Sequence, residues 1–364
     1  MARLVSLIVA VVASLAGGLL VLSQGGVLYR LYSLNFGRVG LENPDTVVPV
    51  AIAMGLLIVG ALLVVVASAT AGWSSLGVLV VGAVQVIVGA LGTLLPPTLS
   101  ARSDAGSASP VYTGLRELYR VLPDLTNGLY LVLPSGVVLA IGLANVLLGI
   151  LAAARRRGQV ASRAAARVVS LLVGLVVAVP AVAMIAVGGF LNYRYLITAL
   201  RGVDPVGLAL LGAGVVLLLV VVFAARWSSM AAIVGGLLVL GGGLATLFVP
   251  RAALAVVNRA GIGPDVIQGI TVLGTVGGFA LLGATLLGAG IGARIAGRVG
   301  ARRSNWVAPH PGAEGDEPGR PWVTPGYTPV DGGGAADGVD RTSPTVVLPS
   351  DPPTSPGYQA PGSR

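Results

Sequence analysis

The residues able to do chemistry in this sequence stand between its apolar stretches. Glu42, Asp45, Asp104 and Asp124 could act as acids or bases in a transfer reaction at an outer membrane face. Asp124 and Asp265 could also line an outer cavity with the pairs Tyr29–Arg30 and Tyr193–Arg194. Each aspartate has a simpler use too. It follows a proline at the start of an apolar run, where a carboxylate complements the helix macrodipole and can cap the first turn. The sequence has no cysteine, and its one histidine, His310, lies near the C-terminus. Thiolate chemistry, a zinc site and a Ser-His-Asp triad therefore have no ligands or base to rest on, and no cofactor is expected. A carboxylate-only site for Mg or Ca on the outer face stays open.

Inside the apolar stretches there is no Asp, Glu, Lys or His. Ion-coupled transporters and intramembrane enzymes place such groups in the bundle interior, so proton relay and water activation find no support there. Gln85 and Asn145 are the most polar residues in the middle of these stretches. Two uses fit them: an interhelical hydrogen bond between the amides, or one polar wall of a substrate path.

The chain repeats itself. Trp73, Ser74, Ser75, Gly82 and Gly89 return 154 residues later as Trp227, Ser228, Ser229, Gly236 and Gly243. Pro123, Asp124, Gly128, Gly136, Gly142 and Gly149 return 141 residues later as Pro264, Asp265, Gly269, Gly277, Gly283 and Gly290. Arg3, Ser6, Tyr29 and Arg30 return 164 residues later as Arg167, Ser170, Tyr193 and Arg194. The changing offset marks loops of different length. Gln85 and Asn145 do not recur, since Val239 and Leu286 stand at their matching positions.

Hydrophobic residues make up 55% of the chain and charged residues 10%, too little polar surface for a soluble domain of this size. Eight apolar stretches, near 4–22, 47–68, 76–95, 129–153, 168–187, 206–225, 230–249 and 266–291, are long enough to cross the hydrocarbon layer as helices. The expected fold is an all-α polytopic membrane protein. Its eight transmembrane helices form a parallel tandem duplication of a four-helix unit, followed by a disordered C-terminal tail. The first stretch resembles a secretory signal loosely, but its repeat counterpart from Val168 cannot be one, so it is expected to be retained.

The units are 1–153 and 167–303, joined by a basic cytoplasmic linker at 154–166, with the tail at 304–364. Arg155, Arg156, Arg157, Arg163, Arg167, Arg294, Arg298, Arg302 and Arg303 have no acid among them, which places both termini in the cytoplasm. All 23 basic residues are arginine, a bias read as that of a GC-rich bacterial genome. The net charge of +9 is met by anionic headgroups, and nucleic acid is not an expected partner. Trp73 and Trp227 read as membrane-interface anchors in short turns, each with a Ser pair suited to cap the next helix.

Finer expectations follow. Residues 110–122 form an amphipathic outer helix with Val111, Leu115, Leu118, Tyr119 and Leu122 on its apolar face. Gly274, Gly278, Gly283, Gly288 and Gly292 pack the eighth helix tightly against the fourth. The tail is too poor in large aliphatics to order itself. It holds short apolar islands at 321–325 and 342–347 that suit protein partners. The reading that accounts for most of this is a non-catalytic component of a bacterial plasma membrane that recruits partners through outer loops and tail. The alternatives are a transporter or flippase for a hydrophobic or lipid-linked substrate between the repeats, and an outer-face transferase.

Overall fold

Long apolar runs with prolines at their starts give helices throughout. A computed structural model describes residues 2–34, 44–94, 110–156, 164–199, 204–248 and 263–304, and every regular element among these is helical. The first half contains α1 (Ala2–Leu34), α2 (Pro44–Ala69), a 3₁₀ turn (Thr70–Gly72), α3 (Ser75–Leu94), α4 (Pro110–Val121), α5 (Pro123–Val132) and α6 (Val137–Arg156). The second contains α7 (Ala164–Ala199), α8 (Pro205–Ala224), α9 (Met230–Phe248), α10 (Pro264–Thr275) and α11 (Gly278–Ser304). Five of them begin on proline, whose missing N–H costs nothing in a first turn. Eight are long and apolar enough to cross a membrane: α1, α2, α3, α6, α7, α8, α9 and α11. Glu42, Asp104, the 157–163 linker and the tail after Ser304 lie outside the described residues.

Two of the eight expected spans differ from expectation. The stretches 129–153 and 266–291 are each broken, at a turn over 133–136 and another at 276–277. Gly136 and Gly277 take φ of +72° and +79°, a left-handed conformation that costs other residues about 1–2 kcal/mol. The bonds around the two breaks match: Gly136 N–H donates to Leu133 O and Ala140 N–H to Gly136 O, while Gly277 N–H donates to Gly274 O and Leu281 N–H to Gly277 O. Pro134 lies in the first turn, but Thr275 stands at the matching position, so glycine is what the breaks share.

Helices α1 and α7 are also longer than expected. At about 1.5 Å per residue, their 33 and 36 residues run about 50 Å, well beyond a hydrocarbon layer of about 30 Å. Tyr29, Arg30 and Tyr32, and likewise Tyr193, Arg194 and Tyr195, therefore sit within helices and not in the loops after them.

Helix α11 is central, with 78% of its apolar stretch buried, and packs on α9, α2 and α6. Its glycines correct a further expectation. Gly283 and Gly290 face Leu240 and Ile233 of α9, while Gly288 and Gly292 face Val65, Ser68 and Ala69 of α2. Helix α6 touches α11 but does not take up these glycines. In α4, Leu115 is buried and Leu118 half-buried, as an amphipathic helix requires, whereas Tyr119 and, just beyond the helix, Leu122 are exposed.

Contacts across the middle of the chain come in matched pairs. A Cβ on Gly136 would strike Leu211 of α8 at 2.5 Å, and one on Gly277 would strike Val21 of α1 at 2.6 Å and approach Leu57 of α2 at 3.3 Å. Gly189 of α7 lies on the backbone of Ser135, and Gly25 of α1 lies on the backbone of Val276. Positions 57 and 211, 25 and 189, and 135 and 276 stand at the same offsets that relate the repeated sequence motifs.

Candidate functional site

The structure brings together Gln85 and Asn145, which are 60 residues apart. Asn145 Nδ2 donates to Gln85 Oε1 at 2.9 Å, so the two amides join α3 to α6. Two hydroxyls complete the group. Ser68 Oγ of α2 donates to Asn145 Oδ1 at 3.1 Å, and Gln85 Nε2 donates to Ser14 Oγ of α1 at 3.3 Å. Four helices of the first half are thus linked through one chain of uncharged polar side chains. Beside it lies a cavity offering about 10 Å³ to the centre of a water-sized sphere, room for about one water, lined also by Ala10, Val64 and Val78. At the matching positions of the second half stand Ala178, Val222, Val239 and Leu286, so the polar group is absent there as a unit.

Asp124 and Asp265 find arginines. Asp124 Oδ1 lies 3.2 Å from Arg30 Nη1, outside hydrogen-bond geometry, and Asp124 Oδ2 accepts from Arg30 Nη2 at 3.4 Å. Asp265 Oδ1 accepts from Arg194 Nη1 at 2.6 Å. Neither aspartate caps its helix. The N-cap positions of α5 and α10 are Leu122 and Gly263, neither with a side-chain cap, and each aspartate lies one residue inside the first turn. Tyr29 and Tyr193 are half-buried against the core. Burial pushes the Tyr130 phenol up, and Arg116 pulls it down by a smaller amount. Among the described residues no group of three or more His, Cys, Asp or Glu side chains could hold a metal.

Asn192, which the sequence reading did not single out, is fully buried. Its Nδ2 donates to Pro134 O at 3.0 Å and to Thr93 O at 3.4 Å, and its Oδ1 accepts from Asp204 N–H. Thr93 Oγ1 in turn donates to Leu133 O at 3.1 Å. The carbonyls freed where the first break interrupts the helix are thus satisfied from α3 and from the other half of the chain, as a membrane interior demands. The signal lay in the repeat, because Asn192 stands where the first half has Leu28. From the other side, Tyr32 OH of α1 donates to Leu247 O of α9 at 3.0 Å, and Leu247 matches Thr93.

The Trp-Ser-Ser turns are alike. Ser74 Oγ accepts from Leu76 N–H and Ser228 Oγ from Met230 N–H, while Trp73 and Trp227 are 65% and 43% exposed. Trp227 meets Phe223 edge to face with ring centroids 5.8 Å apart. At the same end, Arg155 Nη1 donates to Ala293 O at 2.9 Å and Nη2 to Arg226 O at 3.1 Å, and Arg156 donates to Ala71 O.

No protein-family profile, curated protein or solved structure matches the chain. Its function has to be argued from its own geometry.

Proposed function

We propose that the protein is a non-catalytic integral component of a bacterial plasma membrane, which organises partners through its outer loops and its tail at 304–364. It is built as a parallel tandem duplication: unit 1–153, cytoplasmic linker 154–166, unit 167–303. The observation that carries this reading is the tight seam between the units, where the cavity lined by Leu131, Ser135, Gly189 and Tyr193 has room for about one water. Gly25 against Val276 and Gly189 against Ser135 bring backbone onto backbone where a transporter of this build would hold its path. The duplication is supported by the two left-handed glycines and the reciprocal contacts they make with α8 and with α1 and α2.

Both termini are cytoplasmic in this reading. Arg155, Arg156, Arg226, Arg294 and Arg298 cluster at one end, and the three ion pairs among the described residues lie at the other. Trp73 and Trp227 anchor the turns at the inner interface. The transport alternative has less behind it, because the Gln85–Asn145 group is internal to one unit and satisfied by its own members. The transferase alternative loses Asp124 to Arg30.

The test is a crosslinked pull-down from native membranes, with the full chain and with a chain ending at Arg303. A discrete partner set that shrinks on truncation supports the reading. Recovery of nothing specific with either chain would sink it and leave lipid or small-molecule transport in the lead. Orientation is checked separately, since the cysteine-free chain accepts a single Arg226→Cys label site. It should react with an impermeant maleimide only after the membrane is opened.

A further inference from the structure

The geometry points to a phosphate-binding site for an anionic phospholipid headgroup at the arginine-rich end of the bundle, formed by Arg226, Arg294 and Arg298 and positioned by Arg155. The argument begins with Arg155. Its guanidinium spans Arg226 O, in the turn after α8, and Ala293 O, in α11. A planar fork bonded to both carbonyls holds them within about 8 Å of one another. Arg226 and Arg294 therefore rise from neighbouring stretches of backbone. A Cβ on Gly297 would lie 3.6 Å from Arg155 Nη1, so the guanidinium rests on α11 between Arg294 and Arg298. Those two arginines are one helical turn apart on one face, and they and Arg226 are all exposed.

Arg155 spends its donors on backbone carbonyls, which leaves its charge without an acid. No described carboxylate forms an ion pair at this end. Four positive charges gathered at one end of neighbouring helices favour an anion. Trp227, next to Arg226, is exposed at a helix end, where an indole favours the headgroup layer, and that makes a lipid phosphate the anion of choice.

The repeat shows that the cluster is local. Where the second unit has Arg226 the first has Gly72, buried under Ile295 and Gly292 of α11, and where it has Arg294 the first has Ala153. Arg298 is matched by Arg157, so what the second unit adds is Arg226 and Arg294, the two arginines that the Arg155 fork draws together. The site does not depend on which partners the protein assembles.

The full chain in neutral detergent is titrated with phosphatidylglycerol, with diphosphatidylglycerol, with phosphatidylcholine and with inorganic phosphate, and bound lipid is counted by native mass spectrometry. Saturable binding of the anionic lipids, and of neither phosphatidylcholine nor inorganic phosphate, is expected. Arg226→Gln with Arg294→Gln should weaken it about 30-fold, the product of two basic contacts. Arg3→Gln with Arg167→Gln removes the same charge from the same end and should change it less than about twofold. Arg155→Lys keeps the charge but cannot span both carbonyls, and should weaken binding several-fold. Equal losses in the two double variants would reduce the effect to diffuse attraction and overturn the site. So would phosphatidylcholine binding as tightly, or inorganic phosphate binding where the lipids do not. An unchanged Arg155→Lys protein would remove the positioning role.

Discussion

Replacing Asn145 alone by leucine should destabilise the protein more than replacing all four members of its polar group. Asn145 makes two side-chain bonds, to Ser68 at 3.1 Å and to Gln85 at 2.9 Å. Such bonds between membrane helices are worth about 0.6 kcal/mol on average and up to about 1.7. Asn145→Leu removes both and strands the Gln85 carbonyl and the Ser68 hydroxyl in apolar surroundings, for a loss of about 1–2 kcal/mol. The quadruple change Ser14→Ala, Ser68→Val, Gln85→Val, Asn145→Leu strands nothing. It installs Ala178, Val222, Val239 and Leu286 of the second unit at their matching places, and all four of those are buried where they stand. It should fall within about 1 kcal/mol of the parent, since removing both partners of a bond is far cheaper than removing one. Unfolding in mixed micelles, followed by tryptophan fluorescence as the denaturing detergent fraction rises, measures both. A single variant as stable as the parent, or a quadruple variant less stable than the single, would refute the reasoning. A quadruple variant that stays folded and loses its cellular phenotype would move the polar group from packing to function.

Other outcomes follow from the same geometry. Gly136→Ala and Gly277→Ala should each cost about 1–2 kcal/mol from the left-handed backbone alone, and more from the contacts with Leu211 and Val21. Gly18→Ala and Gly55→Ala, which meet open space, should be near neutral in the same unfolding assay. Ser170 Oγ donates to Ser228 O and accepts from Ala231 N–H, whereas the matching Ser6 Oγ is buried without a partner. Ser170→Ala is therefore expected to lower stability by about 1 kcal/mol, and Ser6→Ala to leave it unchanged or raise it. Arg30→Gln and Arg194→Gln break ion pairs whose side chains are a quarter to a half exposed, so each should cost less than about 1 kcal/mol, and less again at high salt. A larger loss on thermal unfolding would mean that these pairs do more than decorate the surface.

Most of the helix inventory was legible because hydrocarbon imposes it. A run of about 20 apolar residues without charge has one stable form in a membrane, and α2, α3, α8 and α9 fall within a few residues of the stretches read from sequence. The Gln85–Asn145 bond was legible as one of two readings, because two lone amides in an apolar bundle have few other partners. Ser14 and Ser68 were not, since a serine on a helix can bond its own backbone and gives no sign that it reaches elsewhere. Asn192 is not legible in sequence because it lies beyond the apolar run 168–187, in the part of α7 that continues past Tyr193 and Arg194.

By itself the sequence determined the number of long apolar helices, the matched motifs at three offsets and the clustering of arginines that have no acidic neighbour in sequence. All three rest on residue type and local spacing. Which glycine of 54 would break a helix, which faces α11 would give to α9 and to α2, and which aspartate would choose an arginine over a helix cap were decided only by tertiary structure. The reason is physical. Each depends on what another helix presents within about 4 Å, and residues that meet there are separated in sequence by up to 256 positions, as Val21 and Gly277 are.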